Sequence, residues 1–217
     1  MLHTTTTNSV NRGHALAIVL FLIGALLAAP SIARADAPAN DPMAVVKDGV
    51  NEALPILRDK QTPTPVRQQK LREIVARSFD FSEMARSALG YHWRQISPDQ
   101  QQEFTKVFST FIENSYLAKI NEFTSGEVRF LSVRNDGPQY AIVKTSVLMA
   151  GKDPIDLDFR LLDKNGQWKV YDVTVDAISI IANYRNQFNR VMNNKGYATL
   201  IADLKSKEAA LAASMGT

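Results

Sequence analysis

Between Trp168 and Phe188 the apolar period of this chain changes from two to three or four residues. Trp168 and Val170, followed by Tyr171, Val173 and Val175, set aromatic and β-branched side chains in extended, alternating order, the pattern of a strand with one face buried. Ile178, Ile181, Tyr184 or Arg185, and Phe188 then recur at the spacing of one helix face. Asp176 sits where the period changes, and a short carboxylate there can accept from the first free amides of a helix. A strand that runs directly into an apolar helix buries both at a shared corner. The rest of the chain is expected to pack around that corner.

The residues before the corner repeat the period of two. Val128–Arg134, Tyr140–Met149 and the alternation of Ile155, Leu157, Phe159 and Leu161 with Asp156, Asp158 and Arg160 read as strands. Asn135–Pro138, Ala150–Pro154 and Lys164-Asn165-Gly166 read as turns between them, the last with hairpin residues. Strands joined by turns this short form an antiparallel meander. Further upstream the pattern is helical. Val46, Val50, Ala53, Leu54 and Leu57 line a first helix from Pro42, which Pro55 is expected to bend or end. Leu71, Ile74, Val75 and Phe79 stripe a second helix after the Gln61–Pro65 loop, and Phe81–Leu89 is a third, closed by Gly90. Ser97-Pro98-Asp99-Gln100 combines a capping serine, a proline at the first helical position and a capping-box glutamine. It opens a helix of roughly twenty-five residues, whose wide apolar face carries Phe104, Phe108, Phe111, Tyr116 and Phe123. Lys195-Gly196 divides the helix that starts at Ile178 from a last one striped by Tyr197, Leu200, Ile201 and Leu204, and the Ala-rich tail beyond Lys207 is expected to fray. The class is α+β: a twisted four-stranded antiparallel meander packed by about six helices, a cone whose mouth can hold an apolar ligand.

Residues 1–14 are polar, 15–29 form an uncharged apolar run, and Ala33-Arg34-Ala35 has the small-x-small pattern of signal-peptidase cleavage. The run falls short of the about 20 residues that a bilayer span takes. Residues 1–35 are therefore read as a secretory signal and 36–217 as one domain, with a helical part at 36–125, a sheet at 126–176, C-terminal helices at 177–207 and a frayed tail at 208–217. Asp36 follows the proposed cut, and the chain has no cysteine, which excludes a lipoprotein anchor and any disulfide. Two of the 25 Lys and Arg residues leave with the signal, so 23 face 22 acidic residues in the remainder. No Lys/Arg run or basic–aromatic stripe suggests nucleic acid. His92 is the one histidine after the signal, which argues against histidine metal sites and triads.

Three stretches carry a family resemblance: FDFSEMARSALGYHWRQISPDQQQEF at Phe79–Phe104, GQWKVYDVTVDAISIIANYRNQF at Gly166–Phe188 and KGYATLIADLKSK at Lys195–Lys207. In this order and spacing the chain resembles the MlaC family of periplasmic lipid-binding proteins, also called toluene-tolerance proteins. The resemblance implies a nuclear-transport-factor-like cone with helical additions and an apolar cavity. It implies a soluble periplasmic carrier, read here as a monomer, with no cofactor other than bound lipid. The acyl chains of a phospholipid would lie in the interior, with the head group near solvent. The carrier would move lipid between an outer-membrane lipoprotein complex and an inner-membrane ABC transporter with its substrate-binding ring, maintaining outer-membrane asymmetry. Hopanoid or another apolar lipid is the alternative cargo. No GxxxxGK[ST] motif is present, so energy would come from a partner.

On that resemblance the cavity wall is assigned to Phe108, Ile112 and Tyr116 of the long helix, Val143, Val147, Phe159 and Leu161 of the sheet, and Val173, Val175, Ile178 and Ile181 of the corner. Plain core packing is the competing reading for each. Tyr184 and Arg185 are placed near the mouth. Arg185 either meets a lipid phosphate or pairs internally with Asp172 or Asp176, and Arg86 and Arg94 leave the same choice open. Asp153, Asp156, Asp158 and Asp163 read as a solvated strand face rather than a cation site. The rival in another class is an acid/base enzyme on an apolar substrate, with Asp172 or Asp176 and Tyr171 or Tyr184 as base and donor; no catalytic residue is assigned.

Overall fold

The computed structural model describes residues 41–120, 126–149, 151 and 153–215. The expected signal at 1–35, the leader at 36–40, Phe123, Ser125, Ala150, Lys152 and the last two residues lie outside the described residues. Five α-helices, one 3-10 segment and five strands are described. They run α1 (Pro42–Arg58), α2 (Thr64–Ser78), α3 (Phe81–Leu89), the 3-10 segment Gly90–Gln95, α4 (Pro98–Ile120), β1 (Glu127–Asn135), β2 (Tyr140–Leu148), β3 (Ile155–Lys164), β4 (Gln167–Val175), β5 (Ile178–Ser179) and α5 (Ile180–Met215). The fold is α+β, with all five strands antiparallel in the order β1-β2-β3-β4-β5.

Local chemistry accounts for most boundaries. Asp41 caps α1 by accepting from Met43 N at 2.9 Å, and Asp80 caps α3 by accepting from Glu83 N at 2.9 Å. The capping box at α4 forms: Ser97 N donates to Gln100 Oε1 at 3.0 Å, and Gln100 N donates to Ser97 Oγ at 3.2 Å. Asn165 and Gly166, at φ 57° and 81°, make the β3–β4 hairpin turn. Helix α1 runs through Pro55 to Arg58 instead of ending there.

The corner differs from its sequence reading. The sheet has a fifth strand, and the helix begins at Ile180 rather than Ile178. Asp176 and Ala177 take φ 47° and 64°, a tight mirror-type turn that folds Ile178 and Ser179 back onto Val175 and Thr174. Asp176 does not cap the helix; its Oδ1 accepts from Asp156 N at 3.1 Å. Ser179 is the cap, its Oγ accepting from Ala182 N at 2.9 Å. The buried Asp172 supports it, accepting from Ser179 Oγ at 2.6 Å and from Ile181 N at 3.1 Å. About six separate helices were expected; five α-helices and a 3-10 segment are described, because the last two run as one across a kink at Gly196 (φ 78°). That helix continues past Lys207 to Met215, where fraying was expected.

Pairing places Val143, Phe159 and Val173 in one row across the sheet, and Ala141, Leu161 and Val170 in the next. Residues directly opposite share a face. Val170 and Val173 share theirs because Tyr171 is the extra residue of a bulge, opposite Arg160/Leu161. A second bulge at Leu131 shifts the β1–β2 register between Phe130 and Ser132. Val46 of α1 packs on this face, forming a core with Val143, Leu161 and Val170. A separate helical core joins α3, α4 and α5 around Phe104, Phe108, Ile181, Phe188 and Leu200. Phe79 touches both cores, and Asp80 N donates to Val170 O at 2.8 Å beside it, tying the helical part to β4.

Candidate functional site

Nine of the thirteen candidate residues divide between the two cores, and four lie outside both. Phe108, Ile112 and Ile181 are buried in the helical core, with Tyr116 and Tyr184 half-buried against it. Val143 and Leu161 are buried in the sheet core, with Phe159 and Val173 half-buried against it. Val147 is buried and Val175 half-buried outside both clusters, and Ile178 is 66% exposed on the short β5. Arg185 is exposed on the flank of α5.

The aromatic excess of α4 is spent on α5. Phe104 and Phe108 stack at 5.4 Å, and Phe188 meets both edge-on at 5.8 and 5.6 Å. Tyr184 meets Phe108 and Phe111 edge-on at 5.8 and 5.6 Å. Such pairs add about 0.5–1.5 kcal/mol each beyond burial. Phe108, with no exposed surface, is therefore held by ring packing.

A polar cluster lies at the edge of these rings. Tyr116 and Tyr184 are joined through their hydroxyls, with the Asp172 carboxylate near enough to act on Tyr116. Burial, then Tyr184 and Asp172, pushes the Tyr116 phenol up to about 12. Burial likewise raises Tyr184 and Tyr171 above the usual phenol range. These hydroxyls are donors over the ordinary pH range. Both Asp172 oxygens accept from the start of α5, so the base proposed for the enzyme rival is committed to holding that helix.

Arg185 pairs with neither Asp172 nor Asp176. Its Nε donates to the Ser87 carbonyl at 2.6 Å. It lines a surface cleft of about 360 Å3 with Arg86, Ser87, Gly90, Trp93 and Arg94. Gly90, at φ 55°, lets the arginine lie across it, since a Cβ there would stand 3.3 Å from Arg185 Cδ. Arg86 is held by the buried Glu83, donating from Nε at 2.9 Å and from Nη2 at 2.7 Å. That pairing raises the Arg86 guanidinium above its usual value. A second cleft, of about 300 Å3, lies where Val45 and Gly49 of α1 meet Trp168 and Lys169 of β4. Sequence reasoning considered the arginines separately and missed Trp93 and Gly90 as their neighbours, although the stretch Arg86–Arg94 spans all but one residue of the cleft. Among the described residues, no helix is long and apolar enough to cross a membrane, and no cluster of His, Asp and Glu could hold a metal.

The model of the MlaC protein family matches residues 47–206. The chain is 27% identical over 121 residues to the intermembrane phospholipid transport system binding protein MlaC of Haemophilus influenzae, a match covering 54% of this chain and 56% of that one. The match thus spans about half the length of that relative. Among solved structures, the phospholipid-binding protein of Ralstonia solanacearum, determined in complex with a phospholipid, superposes with a TM-score of 0.70 at 26% identity, covering 79% of this chain and 99% of that one. The family match runs from α1 through both cores and the corner into the last helix, and the chain belongs to the MlaC family.

Proposed function

We propose that this chain is a phospholipid carrier that takes acyl chains between its helical core and the apolar face of its sheet. The observation that carries the reading is the Ralstonia relative, which was solved with a phospholipid and matches 79% of this chain over 99% of its own length. The two cores supply the apolar surface on either side of the boundary that Phe79 bridges. Each methylene taken from water contributes about 0.8 kcal/mol, so a sixteen-carbon chain is worth about 12 kcal/mol. Two apolar layers that part around a chain replace side-chain contacts with lipid contacts, whereas two polar layers would gain nothing. The carrier works in the periplasm as a monomer, exported by the segment at 1–35. It exchanges lipid with an inner-membrane ABC transporter and an outer-membrane lipoprotein complex, and it performs no chemistry on its cargo.

Native mass spectrometry of the purified protein tests this. The expected spectrum holds a protein–phospholipid adduct that dissociates to the free chain. Val175→Glu, a half-buried site at the rim of the sheet, is expected to lower the adduct fraction at least fivefold while circular dichroism stays unchanged. Wild-type protein that stays empty with every phospholipid class offered would sink the reading.

A further inference from the structure

We propose that the cleft between α3, the 3-10 segment and α5 binds the phosphate of a phosphate ester, held by Arg94 and Arg185 with Arg86 at its edge. Three arginines are among its lining residues, and no Asp or Glu is. Glu83 accepts from Arg86 Nε and Nη2 and from Ser87 Oγ, and from neither Arg94 nor Arg185. Arg185 spends Nε on the Ser87 carbonyl, which leaves both of its terminal nitrogens as donors. Among the described residues, none pairs with Arg94. Arg94 and Arg185 therefore line the cleft without a carboxylate partner, and a concave site with one sign of charge strengthens its field.

The shape narrows the ligand class. Guanidinium forks match the oxygens of phosphate in pairs, and a cleft lined by three arginines can offer a tetrahedral oxyanion donors from more than one of them. Gly90 removes the side chain that would displace the Arg185 stem. Trp93 adds an apolar wall on which the ester substituent can lie. The Ser87–Arg185 bond joins α3 to α5, so the site is held on two packed helices and needs no large rearrangement to bind. This cleft does not depend on the acyl-chain reading, because a phosphate can occupy it while the interior is closed. The ester comes either from a lipid head group or from a free phosphate, and both present the same group to the arginines.

The experiment is a titration of the 15N-labelled protein followed by NMR, reading the Trp93 indole N–H and the arginine Nε–H signals. The probes are inorganic phosphate, dihexanoyl phosphatidylglycerol and dihexanoyl phosphatidylcholine, each below micelle formation, with sodium chloride at matched ionic strength as the control. Saturable shifts with inorganic phosphate support a site for free phosphate. Shifts with the short-chain lipids alone support a head-group site. Arg94→Gln is expected to weaken binding about tenfold, which is about 1.4 kcal/mol. Arg94→Lys should fall between, since it keeps the charge and loses the fork. Arg94 supports no described neighbour, so both variants should fold. Shifts no larger than those with sodium chloride, or equal binding by Arg94→Gln, would overturn the proposal. Retention of lipid in the mass spectrometer is read separately, so failure of the cleft and failure of the carrier reading are distinguishable.

Discussion

Gly90 decides more than its size suggests. At φ 55° and ψ −120° it occupies backbone space that a side chain strains to reach, and a Cβ there would press on the Arg185 stem at 3.3 Å. Gly90→Ala is therefore expected to lower stability by about 1–3 kcal/mol, measured by urea unfolding, and to displace Arg185 from the Ser87 carbonyl. Ala177 lies at positive φ without that relief, in the turn before β5. His92 shows the opposite economy. It is buried, and its ring nitrogens face Gln95 Oε1 at 2.9 Å and Asn189 Oδ1 at 2.8 Å, which pins the 3-10 segment to α5. It is a brace beside the cleft.

At the scale of elements, the beginning of α5 concentrates the most consequence in the fewest atoms. Asp172, buried on β4, reaches across to the Ser179 hydroxyl and the Ile181 amide, so strand and helix share one carboxylate. Asp172→Ala would leave the buried Ile181 amide without a partner, a loss of about 2–3 kcal/mol. Asp172→Asn keeps an acceptor and should cost under about half of that. Urea denaturation of the two variants checks the ordering. The bulge at Tyr171 belongs to the same design. By adding one residue to β4, it keeps Val170 and Val173 on the face that α1 covers and frees Tyr171 to meet Tyr140 edge-on at 5.9 Å and to touch the helical core.

Across the whole molecule, the tyrosines tie stability to alkaline pH. Tyr116, Tyr184, Tyr171 and Tyr197 all have phenols raised mainly by burial, Tyr116 to about 12. In the unfolded chain a phenol loses its proton near pH 10. Below that, both states hold the proton and stability is fully present. Above it, the unfolded chain ionises first, so stability falls as pH rises from about 10 toward and beyond 12. Urea midpoints at pH 7, 9, 10.5 and 11.5 should be level at first and then decline. Tyr116→Phe should flatten part of the decline, and a midpoint that drops as steeply in that variant would contradict the assignment. The fourth tyrosine acts far from the corner: Tyr197 donates to Gln100 O at 2.8 Å, and Lys205 pairs with Glu103 at 2.8 Å, clamping the last helix on the start of α4.

Features set by neighbours in sequence were legible in the sequence. The capping box at Ser97 and Gln100, the Asn165-Gly166 turn and the Gly90 stop each depend on residues within four positions, and each forms as expected. β3 forms from Ile155 to Lys164, but its burial does not alternate: Asp158 and Arg160 are half-buried like Leu157 and Phe159, and Leu161 and Leu162 are both buried. The period change at the corner also located the junction of strand and helix correctly to within two residues. Tertiary structure decided what depends on distant partners. The corner lies between these cases: Ser179 caps in place of Asp176 because Asp172 is buried on the next strand, and the fifth strand folds back through a turn whose two positive-φ residues, Asp176 and Ala177, include no glycine to announce it. Nine of the thirteen candidates fell into two cores and four outside them; for the sheet residues this is because register, shifted at Tyr171 and Leu131, sets which face a side chain takes. Arg86, Arg94 and Arg185 came together only when α5 packed against α3, a contact between residues about a hundred positions apart along the chain.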